Sequence, residues 1–380
     1  MKVAKQIVIA VIFVLIITLP AIDSLFNFIP DEKSNENRAL KTMPKFDVNL
    51  LDLFPEEYDE YYSDNFDLRN QLLWLNSKLK FQMFNKPPVE GKAFIGRDDW
   101  MYIVKHQMDT YLGNNLVSDK MLSRYYDIFK YRQHFLDSIG CKYYVVFAPT
   151  KTSVYPEYLP LSKRKTGQRT RTDQMISLLD TVKGLEVLDL RKVLIDAKGA
   201  TRLYHKTDNH WNEYGSYIAY DAIMDVLSKD FPQLEAYDIT KFKIDSTEVD
   251  GMALTNMMGI YEGVTENKIS CKPLFETKSK EGIKSNYEIP QYFGYETEYE
   301  RVFVTGNDSL PKLLMIRDSF GRTLMPFLSE HFSKSVYIFD AWKHEFNEDI
   351  VINEKPDIYI QLVLEMFVHK VEITAKMPKQ

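Results

Sequence analysis

A serine follows a buried strand late in the chain, in a context that could expose a nucleophile. Residues 313–316 are four large apolar residues in a row, and Asp318, Ser319 and Gly321 come shortly after them, where a helical pattern begins. A strand, a tight turn and a helix in this order present a hydroxyl at the carboxyl edge of a sheet. The N–H groups and dipole of the helix N-terminus would stabilise an oxyanion there. Alternatively, Ser319 only caps the helix, because serine is a preferred N-cap residue.

The segment 206–212 holds residues that could activate such a serine, since it contains Asp208 and His210. A serine hydroxyl needs a general base, and histidine is the usual one. A carboxylate commonly holds the imidazole in the correct tautomer, and an Asp-x-His spacing leaves the other ring nitrogen for the serine. The pattern indicates Ser319 as nucleophile, His210 as base and Asp208 as its partner. The alternative is that Asp208 caps the following helix and His210 is a polar surface residue.

An alternation of short apolar strands and helices would position these residues. It predicts an α/β fold with a mostly parallel sheet that is covered by helices on both faces. The polar, charged stretch at about 233–300 is interpreted as an insertion beside this sheet. The expected strands are residues 143–147, 185–190, 313–316, 335–339 and 356–364, and the expected helices are 119–139, 172–181, 212–227 and 321–332. Before them, residues 55–84 have helical apolar spacing and 91–102 contain short strands.

The N-terminus has the composition of a membrane anchor. Two lysines precede an apolar stretch at residues 7–22, and residues 25–29 extend it toward the length of about 20 residues that a spanning helix needs. A cleavable signal peptide would end in small residues, but no good small-x-small site follows this apolar stretch. An uncleaved anchor is therefore favoured over a cleaved signal. Lysines before the apolar stretch place the remaining chain outside the cytoplasm.

Length, charge and cysteine content narrow the class of protein. A chain of 380 residues suggests one large domain with an insertion, or one domain with a small appendage. The net charge of −6 argues against a general nucleic-acid binder. The two cysteines are Cys141, which opens an apolar strand and is expected in the core, and Cys271. Whether they form a disulfide stays open, and they indicate no thiol catalysis or thiolate metal site.

The two candidate segments together resemble a known family. Asp-Asn-His-Trp at 208–211 and Asp-Ser-Phe-Gly at 318–321 are similar to motifs of the DHHW proteins and of the related SGNH-hydrolase-like domains of alginate O-acetyltransferases. Two departures are Thr150, where the family often has asparagine, and Asn209, the second residue of Asp-His-His-Trp. Supporting similarity covers most of the chain after the anchor, at residues 36–38, 66–69, 91–102, 148–160 and 251–259.

This resemblance implies an SGNH-hydrolase-like three-layer fold with a circularly permuted motif order, since the Asp/His pair precedes the serine. It implies a catalytic triad and acetyl transfer onto hydroxyls of an exported or cell-surface polysaccharide, with no metal or other cofactor expected. The implied triad is Asp208, His210 and Ser319, and the candidate substrate-binding residues are Trp211, Lys151 and Arg322.

The resemblance also implies partners and a location. The acceptor is a polysaccharide, and the acetyl donor is a multipass membrane O-acyltransferase, because acetyl-CoA is not available outside the cell. The expected layout is an anchor at 1–29, a linker and helical lead-in at 30–90, and the acyltransferase domain at 91–380, facing the periplasm or the cell exterior from a single-pass anchor. Two alternatives remain open: an extracytoplasmic carbohydrate acetylesterase, and a non-catalytic polysaccharide-binding assembly subunit.

Three weaker patterns compete with this interpretation. Residues 306–310 imitate the SGNH signature G-D-S-L and offer Ser309 as nucleophile, but Gly, Asn and Asp together indicate a turn. His205, Asp208 and His210 could be metal ligands, although no fourth ligand has convincing spacing. The basic segment 163–171 could contact an acidic polysaccharide, and a solvated loop is the simpler interpretation.

Overall fold

The computed structural model describes residues 2–30, 40–48, 52–84, 91–104, 106–165, 167–260, 263–341 and 343–371. The chain divides into two compact units: Met1–Phe94 with Asp250–Val264, and Ile95–Val249 with Thr265–Gln380. The parts of the expected linker at 31–39, 49–51 and 85–90 lie outside the described residues.

Helices and strands alternate through the second unit, while helices predominate in the first. The α-helices of the described residues are α1 (Lys2–Phe26), α2 (Phe54–Asn65), α3 (Arg69–Phe84), α4 (Gln107–Leu112), α5 (Asp119–Ser138), α6 (Lys151–Val154), α7 (Arg171–Leu179), α8 (Leu190–Asp196), α9 (Glu213–Leu227), α10 (Ala253–Met257), α11 (Glu296–Tyr299), α12 (Met325–Leu328) and α13 (Glu348–Glu354). The strands are β1 (Ala93–Ile95), β2 (Met101–Ile103), β3 (Lys142–Ala148), β4 (Glu186–Asp189), β5 (Phe242–Asp250), β6 (Thr265–Pro273), β7 (Lys280–Glu281), β8 (Glu300–Val304), β9 (Lys312–Arg317), β10 (Lys334–Phe339) and β11 (Ile358–Leu364).

In the first unit, α1 contains the N-terminal apolar stretch. Its part Gln6–Phe26 is long and apolar enough to cross a membrane, with 21 residues and a mean hydropathy of 2.6. Asp23 does not end this helix; its carboxylate accepts the N–H groups of Phe28 and Ile29 at 2.9 and 3.1 Å and so closes the turn that follows. This length and composition suit a membrane anchor or a signal sequence. The aromatic-rich stretch at 55–84 forms α2 and α3, as its helical spacing predicted.

In the second unit, seven strands of the described residues form one sheet in the order β4-β3-β11-β9-β10-β8-β7. The strands from β4 to β10 in this order run parallel, and β8 and β7 pair antiparallel at one edge. The apolar runs are buried on both faces, as parallel strands require. Because β3, β9 and β11 are parallel neighbours, the residues that follow them meet at one edge of the sheet.

Helices cover both faces of this sheet. On one face, alternate residues of β3 pack with α5, α7 and α13 in a continuous apolar core. On the other face, α8 contacts β3, and Tyr144 donates a hydrogen bond of 2.7 Å to Asp230 just beyond α9. The predicted α/β fold with a mostly parallel sheet between helical layers is confirmed.

The segment at 233–300 divides among several places. β5 and β6 form a small separate sheet, whereas β7 pairs with β8 and extends the main sheet. This segment therefore does not lie entirely beside the sheet.

The chain after Ser319 differs from the single helix predicted at 321–332. It forms a 3₁₀ helix at Ser319–Thr323, then α12, then a second 3₁₀ turn at Ser329–His331. Pro326 is the physical reason, because it lacks an N–H donor and is tolerated only in the first turn of a helix. It lies at the start of α12, where a new helix can begin.

Candidate active site

Ser319 lies directly after β9, at the carboxyl edge of the main sheet, and is half-buried. The buried Asp318, not Ser319, is the N-cap residue: its carboxylate accepts the N–H groups of Phe320 at 2.8 Å and of Leu364 at 2.6 Å. Burial raises the pKa of Asp318 to about 6, although both hydrogen bonds oppose this shift. The alternative that Ser319 only caps a helix is therefore wrong. The five-residue 3₁₀ helix also supplies a weaker dipole than the long helix that the sequence predicted.

Asp208 and His210 lie on a loop without regular secondary structure, which an antiparallel bridge between Tyr204 and Trp211 closes. We call residues 204–211 the Asp-His loop. His210 Nε2 lies 2.8 Å from Ser319 Oγ, and His210 Nδ1 lies 2.6 Å from Asp208 Oδ1. The same Asp208 oxygen accepts the backbone N–H of His210 at 2.9 Å. The three side chains thus form one continuous hydrogen-bonded row.

Asp208 does not cap the following helix, as one alternative held. The N-cap of α9 is Asn212, whose side-chain oxygen accepts the Gly215 N–H at 2.9 Å. Burial opposes ionisation of Asp208, but its hydrogen bonds to His210 outweigh burial and hold its pKa well below the ordinary range. A carboxylate here fixes the tautomer with the proton on Nδ1 and leaves Nε2 to accept the Ser319 proton. The side chain of His210 is about one-third exposed, so the base is accessible from solvent.

Trp211 was expected to contact substrate, but its ring is buried against Phe320 in an edge-to-face arrangement with centroids 5.0 Å apart. Its Nε1–H donates to the Phe320 carbonyl at 3.2 Å and to Thr323 Oγ1 at 2.8 Å. This placement joins the Asp-His loop to the turn that carries Ser319. It favours a structural link over stacking on a sugar.

Lys151 is also fully buried. Its ammonium donates to the carbonyls of His205 and Lys206 at 3.0 Å each and of Asp208 at 2.6 Å. An ammonium has three donors, and these carbonyls use all of them. The contacts favour a role in holding the Asp-His loop over one in binding substrate.

Arg322 and Thr150 have contrasting environments. The side chain of Arg322 is exposed, three residues after Ser319 on the same 3₁₀ helix, so it retains access to an external ligand. Thr150, where the family resemblance led us to expect asparagine, is buried and donates its hydroxyl to Glu365 at 2.5 Å and its N–H at 2.7 Å. Thr150 therefore joins the end of β3 to the end of β11.

One residue that sequence reasoning missed is Glu266 on β6, whose side chain is fully buried. Its carboxylate accepts the Thr207 N–H at 2.6 Å, the Thr207 hydroxyl, and an Arg202 N–H at 2.8 Å. His205 Nδ1 lies 3.3 Å from it. The alternating polar pattern of β6 gave no signal for this residue, because its partners lie about 60 positions earlier in the chain.

The alternative nucleophile, metal site and thiols that the sequence offered are not supported by their surroundings. Ser309 is exposed in a turn that precedes β9, and its hydroxyl donates to Asn307 Oδ1 at 2.7 Å. This turn is at the opposite end of β9 from Ser319. The described ranges contain no group of three or more His, Cys, Asp or Glu side chains that could hold a metal ion. Cys141 and Cys271 are both free thiols, and burial raises the pKa of each to about 12.

The chain is similar to known proteins in sequence and in fold. Residues 93–273 match the family model described as "SGNH hydrolase-like domain, acetyltransferase AlgX". This match includes Asp208 and His210 and ends before Ser319. The resemblance to SGNH-hydrolase-like domains of the alginate O-acetyltransferase type is confirmed.

One curated relative is the probable alginate O-acetylase AlgJ of Pseudomonas syringae pv. tomato, with 24% identity over 163 residues. The aligned region is 42% of this chain and 39% of that protein, so the chain spans well under half of that relative's length.

Among solved structures, that of Bacillus cereus PatB1 with a sulfonyl adduct aligns with a TM-score of 0.51 and 15% identity, covering 73% of this chain and 99% of that one. This similarity supports the shared fold. A DHHW family protein from Eubacterium siraeum aligns with a TM-score of 0.48 and 16% identity, over 63% of this chain and 84% of that one.

Proposed function

We propose that this chain, whose residues 93–273 match the model of an SGNH hydrolase-like acetyltransferase domain, is an O-acetyltransferase that modifies hydroxyls of an exported or cell-surface polysaccharide. The observation that carries this proposal is the hydrogen-bonded row from Asp208 through His210 to Ser319, with 2.6 and 2.8 Å between the bonded atoms. This is the arrangement that activates a serine for acyl transfer.

In the proposed mechanism His210 takes the proton of Ser319 while Asp208 stabilises the imidazolium. The Ser319 oxygen attacks the carbonyl carbon of an acetyl donor, the leaving group departs with the proton from His210, and an acetyl-serine forms. A sugar hydroxyl then gives its proton to His210 and attacks the carbonyl carbon of the acetyl-serine. The acetylated sugar forms, and the Ser319 oxygen leaves with the proton from His210, which restores the free serine. The Ser319 backbone N–H, in the first turn of its 3₁₀ helix, is a candidate oxyanion donor.

We propose that α1 anchors the chain in a membrane, with the catalytic unit on the outer side, and that a multipass membrane O-acyltransferase delivers the acetyl group. The two lysines before the apolar stretch support this orientation. Expression of the full chain followed by protease treatment of spheroplasts, in which the outer face of the cell membrane is accessible, tests it: an outward-facing domain is digested, and a cytoplasmic domain is protected.

Acetyl release from p-nitrophenyl acetate by the full chain in detergent tests the nucleophile. Ser319→Ala and His210→Ala should each lower the rate by about 10³-fold or more. Ser309→Ala is the matched control and should retain the wild-type rate, because Ser309 lies in an exposed turn. Wild-type activity in Ser319→Ala, or its loss in Ser309→Ala, would overturn the assignment.

Transfer and hydrolysis share this triad and differ in the acceptor. Incubation of the full chain with an acetyl ester and neutral or acidic oligosaccharides, followed by mass spectrometry, separates them. Acetylated sugar identifies the transferase, free acetate alone identifies the esterase, and neither product with an intact fold favours the binding subunit.

A further inference from the structure

The Asp-His loop must keep His210 within hydrogen-bonding distance of Ser319, although its own backbone makes few regular hydrogen bonds. Bonds from His205 N–H to the His210 carbonyl and from Met101 N–H to the Lys206 carbonyl are exceptions. Other buried carbonyl and N–H groups of the loop need partners from elsewhere in the fold, because an unpaired buried backbone group is costly. Two charged side chains supply them.

Lys151 pairs with the acceptor groups of this loop. Its ammonium contacts the carbonyls of His205, Lys206 and Asp208, and the last of these belongs to the residue that orients the histidine. The ring faces of Trp100 and Tyr102 lie 5.7 and 5.3 Å from the same ammonium and enclose it. The start of α6, far from the loop in sequence, therefore fixes the carbonyl side of the loop.

Glu266 pairs with the donor groups of the same loop. Its carboxylate accepts both donors of Thr207 and lies 3.3 Å from the Lys206 backbone nitrogen, so it contacts the same stretch, residues 205–208, that Lys151 binds. Burial opposes ionisation, but hydrogen bonds from His205 and Thr207 lower the pKa of Glu266 to about 2. Lys151 thus holds carbonyl groups, and Glu266 holds N–H groups, of one short backbone segment.

The burial of Lys151 carries a cost that requires an explanation. Desolvation lowers the pKa of Lys151 to about 7, although Asp208 and Glu266 oppose this shift. A buried charge of this kind adds little net stability compared with an apolar residue, and such charges are better understood as devices that select one conformation.

We infer that Lys151 and Glu266 form a buried charge clamp that positions the Asp-His loop and thereby sets the reactivity of Ser319. The inference rests on the proposed function. Neither side chain contacts the reacting atoms, so both are positioning residues. A displacement of His210 by about 1 Å can lower the rate of proton transfer by up to about 100-fold, and the clamp prevents it.

The test measures how fast a fluorophosphonate probe labels Ser319 in the full chain in detergent, since this reaction needs an activated serine but no acceptor or partner. Lys151→Met and Glu266→Gln should each slow labelling by about 10- to 100-fold. Lys151→Arg keeps the charge and should restore part of the rate. The double variant should be slowed by less than the product of the single effects, because both residues act on one loop.

Lys198→Met is the matched control. Lys198 also donates to a backbone carbonyl, that of Val154 at 2.8 Å, and to the Glu157 carboxylate, and none of its hydrogen bonds to described residues reaches the Asp-His loop. It should retain the wild-type labelling rate.

Kinetics with p-nitrophenyl acetate separate positioning from substrate binding. The clamp predicts a lower kcat with KM unchanged, and a raised KM with kcat unchanged would overturn it. Should Lys151→Met not fold, the near-isosteric Glu266→Gln decides: labelling at the wild-type rate overturns the clamp. Labelling that persists in Ser319→Ala would instead refute the proposed nucleophile, so the two failures are distinguishable.

Discussion

At the residue scale, Trp211 shows how a residue that a sequence motif singles out can serve the site without facing substrate. Its ring is buried, and its N–H reaches the turn that bears Ser319 while its own backbone belongs to the loop that bears His210. The nucleophile and the base come from segments more than 100 residues apart. The hydrogen bonds that the Trp211 N–H donates join those two segments and so keep the 2.8 Å contact between His210 and Ser319 in place.

Trp211→Phe retains an apolar ring but removes the N–H donor. We expect the free energy of unfolding to fall by about 1 kcal/mol, the usual worth of a neutral hydrogen bond, and kcat for acetyl release to fall with KM unchanged. Urea unfolding and steady-state kinetics measure both. Thr323→Val removes the acceptor at the other end of the 2.8 Å bond and should have a similar effect. A raised KM for oligosaccharide acceptors with kcat unchanged would instead identify Trp211 as a sugar contact.

At the scale of elements, the start of α9 packs against the strand-like entry to the Asp-His loop so closely that only glycine fits. A Cβ atom on Gly215 would lie 2.2 Å from the Leu203 carbonyl oxygen, a backbone atom that cannot rotate away. Asn212 ties the same two segments by donating to the Arg202 carbonyl at 2.6 Å. The position of α9 therefore determines where the loop begins.

Gly215→Ala should displace residue 203 and, with it, the loop that carries His210. We expect a loss of about 1–3 kcal/mol in the free energy of unfolding, as for other overpacked sites, and a fall of about tenfold or more in acetyl release. Gly199→Ala is the control, because no atom lies within 4 Å of the Cβ built there. Equal stability and activity in the two variants would show that α9 does not fix the loop.

The elements that the sequence predicted best are those that local composition determines. The apolar runs at 313–316 and 335–339 are β9 and β10, each only slightly longer than expected, because a short apolar run of this length between turn residues is typical of a buried strand. The strand order follows from long-range pairing, which periodicity does not encode. The candidate triad was identifiable because its residue types are chemically distinctive. The clamp was not: Lys151 was singled out only as a substrate contact and Glu266 not at all, because their buried backbone partners are not visible in the sequence.

At the scale of the whole molecule, stability depends on several histidines that stay neutral inside the fold. Burial lowers the pKa of His331 to about 4 and that of His344 to about 3. His331 Nε2 lies 2.6 Å from the Tyr220 hydroxyl, which can donate only if that nitrogen is unprotonated. Neither ring nitrogen of His344 has a hydrogen-bond partner among the residues that the structure describes. In the unfolded chain both residues would bind a proton near pH 6.5.

The fold should therefore weaken as the pH falls from about 6.5 toward 4, because the unfolded state binds protons that the folded state rejects. Each such histidine contributes a slope of about 1.4 kcal/mol per pH unit in this window, and the slope ends once the pH passes below the folded-state pKa. His344→Met removes one of these groups together with its unpaired nitrogens. Urea unfolding of this variant, as the full chain in detergent, between pH 4.5 and 7.5 should then give a free energy of unfolding whose slope against pH is lower by about 1.4 kcal/mol per pH unit. The free energy of unfolding at pH 7 should not fall. His134→Met, at an exposed position on α5, should keep the wild-type slope. An unchanged slope in His344→Met would mean that His344 accepts a proton in the folded protein, and that its surroundings open to water or move to meet the charge.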